Sequence, residues 1–256
     1  MKNRLAIVLA AGKGTRMRSE LPKVLFPVNG RPMIHYVLDT AQMLGSRRII
    51  MIVGHQADKV RREVAAWEIE FATQEHQLGT GHAVQQAKSL LINERGIVLV
   101  LAGDTPLISP KTLEALIHVH HQEKAAASLL TARVTDPTGL GRIIRDHTGR
   151  IDQIVEEKDA TKQQRILCEI NTSTYCFEPT KLLQALDQLK PENRQGEFYL
   201  TDTIGILRKQ GHHITGYETD TPEEITGVNT PEHLSMIESW LLEHEPTRPT
   251  KAGKNS

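Results

Sequence analysis

The sequence predicts an α/β fold built around a doubly wound sheet, and three observations lead to this fold class. Residues 5–10 form a short, uninterrupted apolar run, which is typical of a strand buried on both faces of a parallel sheet. Strand-like and helix-like segments then alternate along most of the chain, as right-handed βαβ crossovers require. The length, 256 residues, suits one large α/β domain or two small ones.

The alternation starts directly after the first strand. Apolar residues recur with a helical period over residues 33–44, and the segment 47–54, with an apolar run at 49–53, is predicted to be a second buried strand. The same patterns predict helices over 58–67, 81–91 and 110–122, and a strand over 97–101. Ligands bind beyond the carboxyl ends of the strands in such sheets, so we expect a site after the strands at 5–10 and 97–101.

Residues 125–180 break this rhythm. Four strand-like segments with little helix between them predict a β-rich lobe that covers the site: 126–134, 141–146, 149–157 and 166–178. Helices are predicted again over 180–189, 199–209 and 231–242. We therefore expect one domain over 1–230, a C-terminal helix over 231–243 and a disordered polar tail over 244–256.

Composition and charge exclude several classes of partner. The 31 lysines and arginines balance the 31 aspartates and glutamates, which argues against nucleic-acid or membrane-surface binding. No apolar run approaches the roughly 20 residues that span a bilayer, and the run at 5–10 is too short for a signal peptide. We expect a cytoplasmic protein whose Cys168 and Cys176 are buried free thiols, with a disulfide as the alternative.

The turn after the first strand has the composition of a phosphate-binding loop. Gly12 and Gly14 allow backbone N–H groups to approach a ligand, and such turns form anion-binding nests. Four cations lie in or just after this turn: Lys13, Arg16, Arg18 and Lys23. The combination indicates a strongly anionic ligand, such as a triphosphate.

Neither of the two familiar glycine-rich phosphate motifs is present. Lys13 lies between the glycines, so the P-loop pattern is absent, and Met17 stands where a dinucleotide-binding motif would have its third glycine. Taken alone, the two glycines are equally compatible with a turn that needs them only for its geometry. Asp104, which follows the strand at 97–101, is a candidate metal ligand, although an aspartate before a proline turn often only caps that turn.

The string LAAGKGTRM at 9–17, with LPK at 21–23, resembles the signature of sugar-phosphate nucleotidyltransferases, most closely the N-acetylglucosamine-1-phosphate uridyltransferases. Further matching strings follow in order at 74–82, 137–142, 154–160, 169–172, 196–202 and 227–229, so that the resemblance covers roughly residues 4–242. It implies a Rossmann-like mixed sheet of the nucleotide-diphospho-sugar transferase type with a β-rich sugar-binding lobe. It also implies transfer of uridylyl from UTP to N-acetylglucosamine 1-phosphate, with Mg²⁺ as cofactor.

The resemblance assigns a nucleotide-binding set to Leu9, Ala10, Ala11, Gly12, Gly14, Gln74, Gly79, Thr80 and Gly103. The amide of Gln74 offers a donor and an acceptor that match those of uracil. Without Gln74, residues 79–81 would be just as well explained as a helix N-cap formed by Thr80. His82, within the same string, is predicted to be structural.

A sugar-binding set is assigned to Gly141, Glu156, Asn171 and Ala102. A carboxylate and a carboxamide on neighbouring strands suit the hydroxyl groups of a hexose. Singly, Glu156 is equally compatible with a surface charge and Asn171 with a turn residue. The segment 196–202 is expected to support the site.

The remaining roles concern the phosphates. The resemblance implies that Asp104 and Asn229 bind Mg²⁺, whose preferred ligands are hard oxygens. It also implies that Lys23 neutralises charge at the α-phosphate and that Arg16 holds the departing pyrophosphate. A sugar 1-phosphate is already anionic near neutral pH, so no general base is expected.

The chain departs from the pattern of these relatives at three points. Ala102 stands where many have tyrosine, Ser173 stands where a glycine is usual, and no hexapeptide repeats of a left-handed β-helix follow. We therefore expect no acetyl transfer and a monomer or weak oligomer. The alternatives are uridylyl transfer to another hexose 1-phosphate and a non-catalytic nucleotide-sugar-binding protein. The histidines at 118, 120 and 121 are predicted to lie on a solvated surface rather than to bind a metal.

Overall fold

The structure, a computed structural model, describes residues 3–14 and 21–244. Eleven strands are assigned within these residues, and they are numbered in chain order. They are β1 (Arg4–Ala10), β2 (Pro27–Val28), β3 (Arg31–Pro32), β4 (Arg48–Val53), β5 (Glu70–Thr73), β6 (Ile97–Ala102), β7 (Ala127–Arg133), β8 (Arg142–Arg145), β9 (Ile151–Val155), β10 (Glu169–Phe177) and β11 (Ile214–Glu218).

The α-helices of the described residues lie between and after these strands. They are α1 (Met33–Met43), α2 (Ala57–Glu63), α3 (Thr80–Gln85), α4 (Lys88–Leu91), α5 (Pro110–Gln122), α6 (Lys162–Arg165), α7 (Pro179–Leu186), α8 (Asp202–Lys209) and α9 (Pro231–His244). Among the residues described, no helix has both the length and the apolar composition that crossing a membrane requires.

In the described part of the chain, nine strands form one mixed sheet whose main path runs β11-β7-β10-β6-β1-β4-β5. The strands β6, β1, β4 and β5 pair in parallel, whereas β10 is antiparallel to both β6 and β7. The predicted α/β fold with a Rossmann-like mixed sheet is confirmed.

Of the β-rich segment expected over 125–180, only the middle part lies outside the main path of the sheet. The strands β7 and β10 belong to the central sheet, because β10 inserts between β6 and β7. The hairpin of β8 and β9 branches from β10 through the pairing of Arg142 with Ile170. Their sequences did not reveal this, since a strand in a sheet and a strand in a lobe have the same local pattern.

Alternate residues of β1 pack on opposite faces of the sheet. Leu5 and Ile7 belong to one buried cluster, while Ala6 and Val8 belong to another. Residues 4–8 of β1 are buried, so that neither face of the strand meets solvent before Leu9, which lines the cleft described below. The two faces hold the strand rigidly, and its carboxyl end is therefore a fixed support for the loop that follows.

Several predicted helices have different bounds in the structure. The helix α5 matches its prediction, and Ser109 caps it by accepting a hydrogen bond from the Thr112 N–H at 3.2 Å. The predicted helix 81–91 is divided into α3 and α4, because the Ala87 N–H bonds to Val84, three residues back, and tightens the turn. The helix α8 begins later than predicted, because the carbonyls of residues 199–201 accept from N–H groups three residues on and form a tighter turn. At the C-terminus α9 includes His244, which was predicted to begin the tail.

Two predictions about burial were wrong. Cys176 is buried as a free thiol, but Cys168 is exposed beside the exposed Ile166 and Leu167, just before β10. His120 is buried rather than solvated, because its helix face packs against β7, and its Nδ1 lies 2.8 Å from the Ser128 hydroxyl. Burial lowers the pKa of His120 to about 4.

Candidate active site

A cleft of about 360 Å³ lies where the carboxyl ends of β1 and β6 meet. Its walls are formed by residues at the ends of strands and by residues of the loops and helix starts nearby. They are Leu9, Ala10, Ala11, Gly12, Lys23, Val24, Gln74, Gln77, Gly79, Thr80, Ala83, Ala102, Asp104, Ser173 and Glu197. The structure thus brings most of the predicted nucleotide-binding residues into one cavity with Lys23 and Asp104.

A cation and two oxygen atoms meet at one end of this cleft. The Lys23 ammonium donates to the Asp104 carboxylate and, at 2.6 Å, to the Asn229 Oδ1. The Lys23 and Asp104 side chains are 16% and 22% exposed, so the pair is partly shielded from water. Three residues that are far apart in the sequence therefore form one polar cluster.

Backbone contacts hold Asn229 beside Asp104. The Val228 N–H donates to the Asp104 carbonyl at 3.0 Å, which attaches the segment 227–229 to the end of β6. The Asn229 Nδ2 donates to the Gly227 carbonyl at 3.2 Å, and this bond turns its Oδ1 toward Lys23. The orientation of the amide is therefore fixed by the chain itself.

The donor set suits a hard divalent cation. The Asp104 carboxylate and the Asn229 carbonyl oxygen both contact one positive centre, the Lys23 ammonium. One carboxylate and one amide oxygen, completed by phosphate and water oxygens, match the coordination preference of Mg²⁺. The described residues contain no group of three or more His, Cys, Asp or Glu side chains suited to a metal, the histidines of α5 included.

The glycine turn packs directly against Lys23. Gly14 has a φ of +60°, and a Cβ added to it would lie 2.7 Å from the Lys23 Cβ. Gly12 has open space around it and lines the cleft. Gly14 itself does not line the cleft. Its lack of a side chain allows the turn to pack against Lys23. Arg16 and Arg18 lie outside the described residues.

Gly103 was predicted to bind the nucleotide, but its closest contacts are structural. Its N–H donates to the Leu9 carbonyl at 2.9 Å, and an added Cβ would lie 2.6 Å from that same oxygen. Gly103 therefore allows the ends of β1 and β6 to converge. It is not among the cleft-lining residues.

The Gln74 side chain is buried and held in place by two contacts. Its Nε2 donates to the Gly79 carbonyl at 3.0 Å and lies 3.1 Å from His82 Nδ1. The backbone carbonyl of Gln74 accepts from Gln77 Nε2 at 3.0 Å. Burial lowers the pKa of His82, so the neutral ring can accept the Gln74 proton. The geometry supports the structural role predicted for His82.

The segment around Gly79 is attached to the segment around Phe198. Phe198 N–H donates to the Leu78 carbonyl and Gly81 N–H to the Phe198 carbonyl, each at 2.8 Å. The Thr80 hydroxyl accepts from the Leu200 N–H at 3.0 Å and makes no capping bond. Thr80 is therefore not the helix N-cap: Gly79 occupies that position, and the Thr80 side chain joins α3 to the segment around Phe198.

The predicted sugar residues form a second group beside the cleft. The Asn171 N–H donates to the Gly141 carbonyl at 2.8 Å, and a Cβ on Gly141 would lie 3.4 Å from Glu156 Oε2. The Glu156 Oε1 accepts from the Thr201 hydroxyl at 3.1 Å. Burial, aided by neighbouring carboxylates such as that of Asp202, raises the pKa of Glu156. Glu156 is not a free surface charge, and Asn171 lies in β10 rather than in a turn.

Sequence reasoning missed several residues that line or support the site. Val24, Ala83 and Glu197 line the cleft, and Tyr175 accepts from the Asn171 Nδ2 at 2.8 Å through its hydroxyl oxygen. The segment 196–202 was recognised only as support, although it supplies Glu197. Val24 and Ala83 carry no sequence signal, because small apolar residues occur throughout a buried sheet.

Comparisons with known proteins agree with this geometry. Residues 6–202 match the family described as the MobA-like NTP transferase domain. The chain is 47% identical over 241 residues to the bifunctional protein GlmU of Bacillus licheniformis, covering 94% of this chain and 53% of that protein. It is 45% identical over 243 residues to GlmU of Bacillus subtilis, covering 95% and 53%.

A third relative, GlmU of Halalkalibacterium halodurans, is 47% identical over 241 residues, with 94% of this chain and 53% of the relative covered. The chain thus spans about half the length of the curated relatives it matches. The span matched by the family ends at residue 202, before Asn229. In the structure the segment 227–229 is nevertheless joined to Asp104 by the Val228 N–H. With the glycine turn, Gln74 and Asp104 all inside the matched span, the chain belongs to the MobA-like NTP transferase family and is a nucleotidyltransferase.

Proposed function

We propose that the protein transfers the uridylyl group of UTP to N-acetyl-α-D-glucosamine 1-phosphate, giving UDP-N-acetylglucosamine and pyrophosphate. The observation that carries the proposal is the position of the cluster of Lys23, Asp104 and Asn229. It lies at a cleft that carries Gln74 and the glycine turn, next to the group of Glu156 and its neighbours. The charged cluster thus lies beside both the residues assigned to the nucleotide and the residues assigned to the sugar.

The proposed step is a direct displacement at phosphorus. An oxygen of the sugar phosphate forms a bond to the α-phosphorus of UTP, and the bond from that phosphorus to the bridging oxygen breaks. The electron pair leaves with pyrophosphate. A phosphate monoester has its second pKa near 6, so the nucleophile is largely dianionic at neutral pH and needs no base. Reduced repulsion and alignment are what such a transfer requires of the protein.

We assign to Lys23 the neutralisation of charge at the α-phosphate; its ammonium contacts Asp104 and Asn229 in the structure and would leave these oxygens when they hold Mg²⁺. Asp104 and Asn229 would hold Mg²⁺, which when bound supplies further charge neutralisation between the phosphates. Gly12 presents backbone to the cleft, and we assign the binding of pyrophosphate to this turn and to Arg16.

Recognition of the base is assigned to the fixed amide of Gln74. Its contacts with His82 and with the Gly79 carbonyl prevent rotation of the amide and occupy both Nε2 hydrogens, so the group left to contact uracil is the acceptor Oε1. A fixed amide discriminates between bases because the wrong pattern leaves a buried polar group unpaired. The sugar hydroxyls are assigned to Glu156 and Asn171.

A second candidate is uridylyl transfer to a different hexose 1-phosphate. It is favoured by Ala102 and Ser173, two small residues that line the cleft and depart from the pattern of the resembling family. Both reactions use the same displacement, and only the sugar differs.

The test is pyrophosphate release by the purified protein with UTP, Mg²⁺ and N-acetylglucosamine 1-phosphate. Glucose 1-phosphate, galactose 1-phosphate and the other nucleoside triphosphates run in parallel. The proposal expects the highest kcat/KM with UTP and the acetylated sugar. Release only with another sugar would establish the second candidate. Binding of UDP-sugar with no release for any pair would reject both and indicate a nucleotide-sugar-binding protein.

A further inference from the structure

Ser173 has an unusual backbone conformation for a residue inside a strand. Its φ is +59°, and it lies where the pairing of β10 with β7 shifts register between Asn171 and Tyr175. It is the one exposed residue of β10, and it lines the cleft. Within the described residues its hydroxyl group has no hydrogen-bond partner.

Left-handed backbone is unfavourable for a residue that carries a Cβ, and glycine adopts it readily. The other described non-glycine residues with positive φ belong to turns or helix ends: Asn29, Gln56, Asn93 and Lys124. Lys124, for example, is the second residue after α5, a position where helices commonly end with a residue of positive φ. Ser173 alone among these lies in a strand, and strained residues of this kind cluster at functional sites.

The neighbours of Ser173 place it on the sugar side of the cleft. Its N–H donates to the Asn171 Oδ1 at 3.3 Å, so it is joined to the predicted hexose group. Tyr175 pairs with Val100, and Ser173 and Ala102 each lie two residues from that pair at the same end of the two strands. Ala102 also lines the cleft.

We propose that Ser173 is a specificity-determining residue whose hydroxyl group hydrogen-bonds the hexose ring of the sugar 1-phosphate. The inference rests on the proposed function and names a residue that recognises its second substrate. The bulge in β10 lifts Ser173 out of the ladder and into the cleft, and the strained backbone holds the hydroxyl there. Glycine would relieve the strain but would remove the contact.

Two substitutions separate the hydroxyl from the backbone strain. Ser173→Ala keeps the Cβ and its strain and removes only the hydroxyl, whereas Ser173→Gly removes both. The matched control is Lys124→Gly, which relieves a positive φ of +49° far from the cleft. Each variant is measured for the KM of the sugar 1-phosphate, the KM of UTP, and Tm.

We expect both Ser173 variants to raise the KM of the sugar 1-phosphate about fivefold to tenfold, the effect of one lost hydrogen bond, and to leave the KM of UTP unchanged. Ser173→Gly should also raise Tm by roughly 2–4 °C, and so should Lys124→Gly without any change in either KM. Ser173→Ala should leave Tm nearly unchanged.

An unchanged sugar KM in both Ser173 variants would overturn the inference, whatever happens to Tm. Wild-type turnover with N-acetylglucosamine 1-phosphate tests the proposed function separately. If the wild type uses another hexose 1-phosphate, the same comparison is made with that sugar. If the wild type turns over no sugar, calorimetric Kd values for UDP-N-acetylglucosamine decide: weaker binding in both variants supports the role of the hydroxyl, and equal binding rejects it.

Discussion

Lys23 is bound by two oxygen atoms that come from distant parts of the chain. Its ammonium contacts Asp104 at the end of β6 and Asn229 in the segment before α9. With Asp104 removed, the ammonium would retain only the uncharged amide oxygen. The net charge at this end of the cleft would then become more positive by one unit.

The first residue-scale prediction concerns Asp104→Ala. We expect kcat to fall by about two to three orders of magnitude, because the variant loses the carboxylate that would hold Mg²⁺ beside the reacting phosphates. The fold should survive, since Asp104 belongs to none of the buried apolar clusters. The measurement is pyrophosphate release together with circular dichroism. Asp58→Ala, which alters an aspartate that is 89% exposed on α2, is the matched control and should retain full activity. Near-normal turnover of Asp104→Ala would contradict the assigned role.

Asp202, the first residue of α8, leads to a prediction about pH. Burial, and then the charge of Asp159, raise the pKa of the Asp202 carboxyl to about 6. Between about pH 4 and 6 the folded protein therefore retains a proton that the unfolded chain has lost. The free energy of unfolding must fall as pH rises through this window.

Asp202→Asn should accordingly raise Tm at pH 7 and have little effect near pH 4. The expected gain is on the order of 1 kcal/mol, since solvent and the start of the helix both moderate the penalty of the charge. Thermal unfolding of both proteins across pH 4–7 is the measurement. A constant difference in Tm over the whole range would show that titration of Asp202 is not its cause.

The predictability of individual site residues varied with the kind of contact involved. Gly12, Gln74 and Asp104 follow strands, and local sequence strings marked them. The structural role of Gly103 could not be predicted, because it depends on how closely β6 approaches Leu9 on a neighbouring strand. Tyr175 was missed for a similar reason, since a buried tyrosine reads as core unless its partner, Asn171, is known.

At the scale of elements, the segment 78–81 and the segment 198–200 act as one unit. Three backbone N–H groups join them, those of Gly81, Phe198 and Leu200. Gly79 has a φ of +109°, and an added Cβ would lie 2.5 Å from the Phe198 carbonyl oxygen. The start of α3 therefore depends on a glycine at this position.

Gly79→Ala should both destabilise the protein and weaken UTP binding. We expect a loss of about 1–3 kcal/mol in the free energy of unfolding and a rise in the KM of UTP, because the two segments must separate. Gly211→Ala is the matched control: its φ is +81°, but nothing lies within 4 Å of the added Cβ. Denaturant unfolding and steady-state kinetics are measured for both. Equal loss of stability in the two variants, with no change in KM, would exclude a special role for the contact with Phe198.

The same contact explains which elements were predictable. Runs of apolar residues predicted the strands well, because β1, β4 and β6 are buried on both faces. Helix ends were less predictable, since they depend on distant partners. Residues 199–201 have a helical pattern, yet their carbonyls accept from N–H groups three residues on, and this tighter turn, joined to Thr80 through the Leu200 N–H, precedes α8. No local pattern could show that bond.

At the scale of the whole molecule, the sheet separates two apolar cores and meets the cleft at one end. One core contains Leu5 and Ile7, the other Ala6 and Val8, and both belong to the strand that leads to the glycine turn. A ligand in the cleft would therefore contact the end of the most enclosed part of the fold. Binding and global stability should be linked.

We expect UTP with Mg²⁺ to raise Tm. At a concentration a hundred times Kd, linkage gives about 2.7 kcal/mol, which corresponds to a shift of roughly 5–10 °C for a protein of this size. Differential scanning fluorimetry with UTP and ATP in parallel is the measurement, and ATP should have the smaller effect. An unchanged Tm at saturating UTP would contradict binding in the cleft.

The place of β10 in the sheet has a consequence for how the chain folds during synthesis. β10 pairs with β6 on one side and with β7 on the other, yet it is made long after β6. Until residues 169–177 emerge from the ribosome, β6 has an open apolar edge, and such edges invite pairing with other chains. The strand that joins the two halves of the sheet is also the one that protects the nascent chain from aggregation.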